Sequence, residues 1–136
     1  MIIMSVDAGL ARTGVAVCDQ NETMAFPKGV ITEYNADRLV DKLCDMAKDT
    51  GAQKIVVGLP KNMDGSSGER AKDCENLALA IQAKSGIETV LFDERCTTMQ
   101  AYTYLDMSGT HGKKRKQAVD AVAAVIILED YLRSIK

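Results

Sequence analysis

The sequence predicts an α/β fold: a mixed five-stranded sheet, three antiparallel strands followed by strand–helix units, with helices on both faces. Three observations carry this expectation. Up to Ile31 the chain consists of short apolar runs joined by short turns. From Asn35 onward, stretches of helical periodicity alternate with short and almost wholly apolar runs, Lys54–Gly58 and Thr89–Phe92. Glycine, asparagine and serine punctuate the boundaries at Gly9, Asn35, Gly51 and Ser66.

Ile2–Val6 and Thr13–Cys18 read as the first two strands, joined by the glycine turn of Asp7-Ala8-Gly9-Leu10-Ala11-Arg12-Thr13-Gly14. Asp19-Gln20-Asn21-Glu22 then turns the chain back through Met24–Phe26 and Val30–Ile31. Pro27 marks that third run as an edge strand or a bulge, because proline has no N–H to give a ladder. Asn35 caps a helix in which Leu39, Val40, Leu43, Cys44 and Ala47 keep helical spacing, and Gly51 ends it. Lys54–Gly58 is a strand apolar on both faces. After a polar loop from Leu59 to Ser67, Ser66 and Glu69 have capping-box spacing and open a second helix facing inward through Ala71, Cys74, Leu77, Ala78 and Ile81. Thr89–Phe92 is the fifth strand and leads to Asp93-Glu94-Arg95. Thr97 and Gln100 open another helix through about Met107, Ser108–Lys116 reads as a polar loop, and a final helix runs from about Gln117 to Arg133. Ligands in such sheets gather at the carboxyl ends of the parallel strands.

Composition narrows the classes. At 136 residues the expectation is one domain, residues 1–136, with a full hydrophobic core. The longest apolar run, Ala121–Leu128, has eight residues, far below the roughly 20 of a membrane span. The N-terminus carries no basic segment ahead of an apolar one, so no signal peptide is expected, and the expected location is the cytoplasm. Cys18, Cys44, Cys74 and Cys96 are scattered without a C-x-x-C pair, which argues against zinc and thioredoxin-type chemistry and for small buried hydrophobes. A net charge of −2 argues against a protein that coats nucleic acid by bulk electrostatics, but leaves room for a local basic patch.

Three acidic residues interrupt apolar context at the ends of elements: Asp7 ends the first strand, Glu94 ends the fifth, and Asp120 stands in what reads as the first turn of the last helix. Singly, each has an ordinary reading. Asp7 suits a strand-end turn, Asp120 complements a helix dipole, and Glu94 pairs with Arg95 or Arg12. Converging, they would repel one another unless a cation intervened. Carboxylate oxygens of this kind suit Mg²⁺ or Mn²⁺. Two such ions roughly 4 Å apart activate a water and stabilise the leaving oxygen in phosphodiester cleavage.

Four segments together resemble the signature blocks of the YqgF family. They are Asp7-Ala8-Gly9-Leu10-Ala11-Arg12-Thr13-Gly14-Val15-Ala16-Val17, Val56-Val57-Gly58-Leu59-Pro60-Lys61-Asn62-Met63-Asp64-Gly65, Asp93-Glu94-Arg95-Cys96-Thr97-Thr98 and Val119-Asp120-Ala121-Val122-Ala123-Ala124-Val125-Ile126-Ile127-Leu128. The similarity runs the length of the chain in the family's order. That family is described both as Holliday junction resolvases and as pre-16S rRNA nucleases. The resemblance implies a ribonuclease H-like fold and a nuclease dependent on Mg²⁺ or Mn²⁺, with Asp7, Glu94 and Asp120 matching its acidic catalytic and metal-binding positions. It departs from the related RuvC-type resolvases at Ala123, where those carry a further acid one helical turn past the last catalytic one. That departure favours processing of the 5' end of pre-16S rRNA over resolution of four-way DNA. Asp93 is a fourth acid expected to face away from Glu94 on the strand.

Lys113, Lys114, Arg115 and Lys116 precede Asp120 and are candidates to hold a phosphate backbone, with Arg12, Lys61, Asn62 and Arg70 extending that surface. A solvated loop and a plain turn are the ordinary readings of the basic run and of Asn62. His111, the sole histidine, reads as a surface residue with a conceivable proton-transfer role. The expected partner is nucleic acid, structured RNA first and branched DNA second, with no membrane. Whether the chain acts as a monomer or a homodimer is left open. An ATPase of the actin–hexokinase type shares the Asp-x-Gly turn but needs two such domains. A binding module of the same fold without catalysis would not need the three carboxylates.

Overall fold

The computed structural model describes residues 1–9, 11–60, 69–94 and 112–135, with backbone only at 60, 69, 94 and 112–120. Five strands form one sheet: β1 (Ile3–Ala8), β2 (Arg12–Cys18), β3 (Ala25–Thr32), β4 (Lys54–Pro60) and β5 (Glu88–Glu94), in the order β3-β2-β1-β4-β5. β1, β2 and β3 pair antiparallel, and β4 pairs parallel to both β1 and β5. This is the expected mixed sheet of the ribonuclease H-like fold.

Period-two alternation divides the sheet residues between two cores. On one face Met4, Val6, Val15, Ile55 and Val57 pack under α1 (Ala36–Thr50) and α2 (Glu69–Ser85), meeting Leu39, Leu43, Ala71, Cys74 and Ile81. On the other, Ile3, Ala16, Cys18 and Val56 pack under α3 (Gly112–Ser134), against Ala124, Ile127, Leu128 and Tyr131. Each fully buried aliphatic side chain contributes about 1.5–3 kcal/mol. β3 is an edge strand, as Pro27 requires, and the ladder shifts register opposite Val15/Ala16, where Pro27 faces Ala16.

The caps of α1 act as the sequence implies. The Asn35 side chain accepts from the Arg38 N–H at 3.0 Å. At the other end Gly51 adopts φ 74°, its N–H bonding to the Lys48 carbonyl while the Ala52 N–H reaches that of Ala47, a Schellman arrangement. A side chain at Gly51 would strain that left-handed backbone.

Three boundaries differ from the expectation. β1 runs to Ala8, so Asp7 lies within the strand, where its backbone pairs with Gly14. β4 extends to Pro60 because it keeps pairing in parallel with β5 beyond its apolar core, while β5 closes at Glu94, as the sequence implies. α3 begins at Gly112, so Lys113–Lys116 are helical rather than a loop. Lysine and arginine are good helix formers, and a polar run without proline or glycine has no reason to stop a helix. Consequently Asp120 stands in the third turn, and no acid occupies the first turn of α3. The helix-dipole explanation for Asp120 thereby falls away, since the dipole acts over the first turn.

α3 runs antiparallel to β4: Ile127 lies against Gly58, and the Tyr131 hydroxyl accepts from Lys54 Nζ at 3.0 Å. The contact at Gly58 is close enough that a Cβ there would stand 2.6 Å from Ile127 Cδ1. No helix among the described residues is long and apolar enough to cross a membrane. The helix expected over Thr97–Met107 and the cap at Ser66 lie outside the described residues.

Candidate active site

Asp7 shares its strand face with Ile3 and Ser5, the face covered by α3. It is half-buried, and the residue opposite it in β2 is Gly14. Because directly paired residues project to the same side of a sheet, the buried Gly14 brings no side chain of its own against the carboxylate. The turn beyond it is tight: the Gly9 N–H donates to the Arg12 carbonyl at 2.9 Å, and a Cβ at Gly9 would stand 2.4 Å from that oxygen. Glycine is required at this position, and the turn returns the chain with Arg12 on the same face as Asp7 through the alternation Arg12, Gly14, Ala16.

Glu94 closes β5, with its backbone paired to Pro60. Its position continues the alternation Val90, Phe92, both of which pack on the α3 side. Asp93 is exposed and takes the opposite parity, as expected. Asp120 precedes Ala124 by one turn of α3. Asp7, Glu94 and Asp120 thus stand at backbone positions at the carboxyl ends of β1 and β5 and on the helix crossing the same face. Among the described residues no three acidic, histidine or cysteine side chains form a metal-binding group, and the side chains of Glu94 and Asp120 are outside that set.

The basic candidates divide. Lys113–Lys116 occupy the first turns of the helix that bears Asp120, with Lys116 one turn before it. Arg70, at the start of α2, approaches from the opposite face and donates from Nη2 to the Ala8 carbonyl at 2.7 Å. It therefore holds the residue directly after Asp7, a role the sequence did not suggest for it. Beneath this end of β1 lies the Cys74 thiol, pushed up to about 11 by burial, with Arg70 opposing and Asp7 adding to the rise. Lys61, Asn62, His111 and Cys96 are outside the described residues. Cys18 and Cys74 are buried free thiols and Cys44 is half-buried, as their apolar spacing indicates.

Two features are not evident from the sequence. Ser5 is fully buried within an apolar strand and donates to the Ala124 carbonyl at 2.7 Å. A serine breaking an apolar strand was the available signal. A cleft of about 520 Å³ also opens on the opposite side of the sheet, between the start of α1 and α2, bordered by Ala8, Gly9, Tyr34, Arg70 and Asp73. Nothing in residue spacing marks a cleft of this kind, because its walls come from three separate elements.

Comparison with known proteins adds three findings. The family model described as "RuvX: Holliday junction resolvase" matches residues 1–134. A protein of Bacillus cytotoxicus named "Putative pre-16S rRNA nuclease" is 39% identical, covering 98% of this chain and 99% of its own, and a protein of the same name from Lachnospira eligens is 37% identical over 98% of each. Among solved structures, Thermus thermophilus RuvC in complex with a Holliday junction substrate superposes with a TM-score of 0.63 at 12% identity, covering 100% of this chain and 97% of that one.

Proposed function

The chain belongs to the RuvX family, the same family as YqgF, and from that membership we propose that it is a nuclease acting on the 5' end of precursor 16S rRNA. The observation that carries the reading is the backbone placement of Asp7, Glu94 and Asp120 on one face of the sheet, at its carboxyl edge. Relatives of full length that bear the pre-16S rRNA nuclease name support the substrate. Ala123 supports it too, being 1% exposed: the position that holds a further acid in RuvC-type resolvases is a packing position here.

The donor set fits a hard divalent cation. All three residues offer oxygen, and the buried Cys74 thiol belongs to the other face. Mg²⁺ or Mn²⁺ held by Asp7, Glu94 and Asp120 would supply a water activated near neutral pH and charge stabilisation at the leaving oxygen. The chain itself does the positioning. Asp7 is held by its pairing with Gly14 of β2, and Arg70 anchors the carbonyl of the residue after it. Lys113–Lys116, on the first turns of α3, would bring positive charge to the phosphodiester backbone, with Arg12 adding to it on the Asp7 face.

The experiment compares wild type with Asp7→Asn on precursor 16S rRNA, a four-way DNA junction and unstructured strands, with Mg²⁺, Mn²⁺ or chelator. Metal-dependent cleavage of the RNA, lost in Asp7→Asn, is the expected result. Symmetric cutting of the junction in preference to the RNA would replace this reading by the resolvase reading that the family description carries.

A further inference from the structure

We propose that Ser5 is a positioning residue that sets the spacing between Asp7 and Asp120; the inference rests on the proposed metal site and deepens it. Ser5 is 0% exposed, and its hydroxyl donates to the carbonyl of Ala124, itself 0% exposed, at 2.7 Å. It is a fully buried polar link from strand to helix in a largely apolar interface; the Lys54–Tyr131 hydrogen bond also ties α3 to the sheet, but it is only part-buried and lies at the amino end of β4.

From that link the two acids are reached by equal steps in one direction. Asp7 is two residues further along β1 on the same face, a rise of about 6.6 Å. Asp120 is four residues back along α3 on the same helical face, a rise of about 6 Å. Because α3 runs antiparallel to β4, and β4 parallel to β1, both steps lead toward the carboxyl edge of the sheet. The Ser5–Ala124 bond is therefore a pivot one step below both residues. Apolar contacts alone fix the depth of a helix on a sheet better than its sliding along it, whereas a hydrogen bond is directional and penalises both. The close seat of Ile127 on Gly58 sets the depth, and Ser5 sets the slide. Loss of the hydroxyl frees α3 to shift along β1 and changes the distance between the two carboxylates at the point where a cation would bridge them.

The test measures Mn²⁺ binding by water-proton relaxation in wild type, Ser5→Ala, Ser5→Cys and Asp7→Asn, well below the unfolding temperature of each. Ser5→Ala should bind Mn²⁺ about 5- to 10-fold more weakly, near the lower end of what outer-shell changes cost a metal site. Ser5→Cys, which keeps a weak S–H donor, should fall between it and wild type. It is the variant to read if Ser5→Ala does not fold. A folded Ser5 variant with lowered thermal stability but Mn²⁺ affinity within about twofold of wild type would overturn the proposal, leaving Ser5 a packing residue. Wild type that binds no Mn²⁺, or Asp7→Asn that binds it as wild type does, would instead remove the metal-site reading and this inference with it.

Discussion

Gly58→Ala tests how tightly α3 is seated on the sheet, and its cost can be worked from one contact. A Cβ at Gly58 would stand 2.6 Å from Ile127 Cδ1, with Ile127 Cγ1 next at 3.4 Å and the Val6 carbonyl at 3.7 Å. Only the terminal methyl clashes, but Ile127 is 1% exposed and has nowhere open to rotate. Overpacking of this kind costs about 1–3 kcal/mol. The alanine regains about 0.4–1 kcal/mol by restricting the unfolded chain. The net loss should be roughly 1 kcal/mol, read as a lowered urea midpoint at unchanged slope. Ile127→Val removes the clashing methyl and alone costs about 0.5–1.5 kcal/mol. The double variant should be no less stable than Ile127→Val alone, a coupling of about 1 kcal/mol between the sites. Strict additivity, or a Gly58→Ala protein as stable as wild type, would refute this account of the interface.

Three further outcomes follow from particular groups. The Asp19 carboxylate is held down to about 2, chiefly by the Thr23 hydroxyl and also by the Met24 and Thr23 N–H groups. Its pKa being lower folded than unfolded, its contribution is complete above about pH 4 and is lost as pH falls toward about 2; Asp19→Asn should flatten acid unfolding in that window, and a carboxyl titrating near 4 by NMR would contradict it. Replacing Lys113–Lys116 with alanine should weaken RNA binding and shrink its salt slope by about 0.7 for each phosphate the helix no longer neutralises; an unchanged slope would place the run away from the substrate. Brief alkylation near pH 8 should spare Cys74 in the native protein and modify it in denaturant, because burial holds its thiol up at about 11; rapid native modification would show that the Cys74 face of α2 is not packed against the sheet.

Much of this fold is written locally. Asn35 and Gly51 bound α1 through bonds each makes with its own neighbours, so their meaning survives without tertiary context. Pro27 likewise announces an edge strand, since its missing N–H is a property of the residue itself. The inward face of α2, with Ala71, Cys74, Ala78 and Ile81 buried, follows from periodicity alone. The start of α3 was not legible because Lys113–Lys116 are equally at home in a solvated loop and on a solvated helix, and only the apolar residues beyond them carry a period. The end of β4 depended on pairing between strands distant in sequence, which no residue signals by itself. At the candidate site the acids were visible as interruptions of apolar runs. Arg70's bond to Ala8 and Ser5's to Ala124 were not, since each joins residues far apart in the chain.

The central claim is that Asp7, Glu94 and Asp120 act as one cation site for phosphodiester cleavage. Its most direct measurement is calorimetric titration of Mn²⁺ into wild type, Asp7→Asn, Glu94→Gln and Asp120→Asn, each confirmed folded. Every single variant should bind at least about 100-fold more weakly, beyond the 10- to 100-fold that outer-shell changes produce. Any one variant that binds Mn²⁺ as tightly as wild type would contradict the shared site.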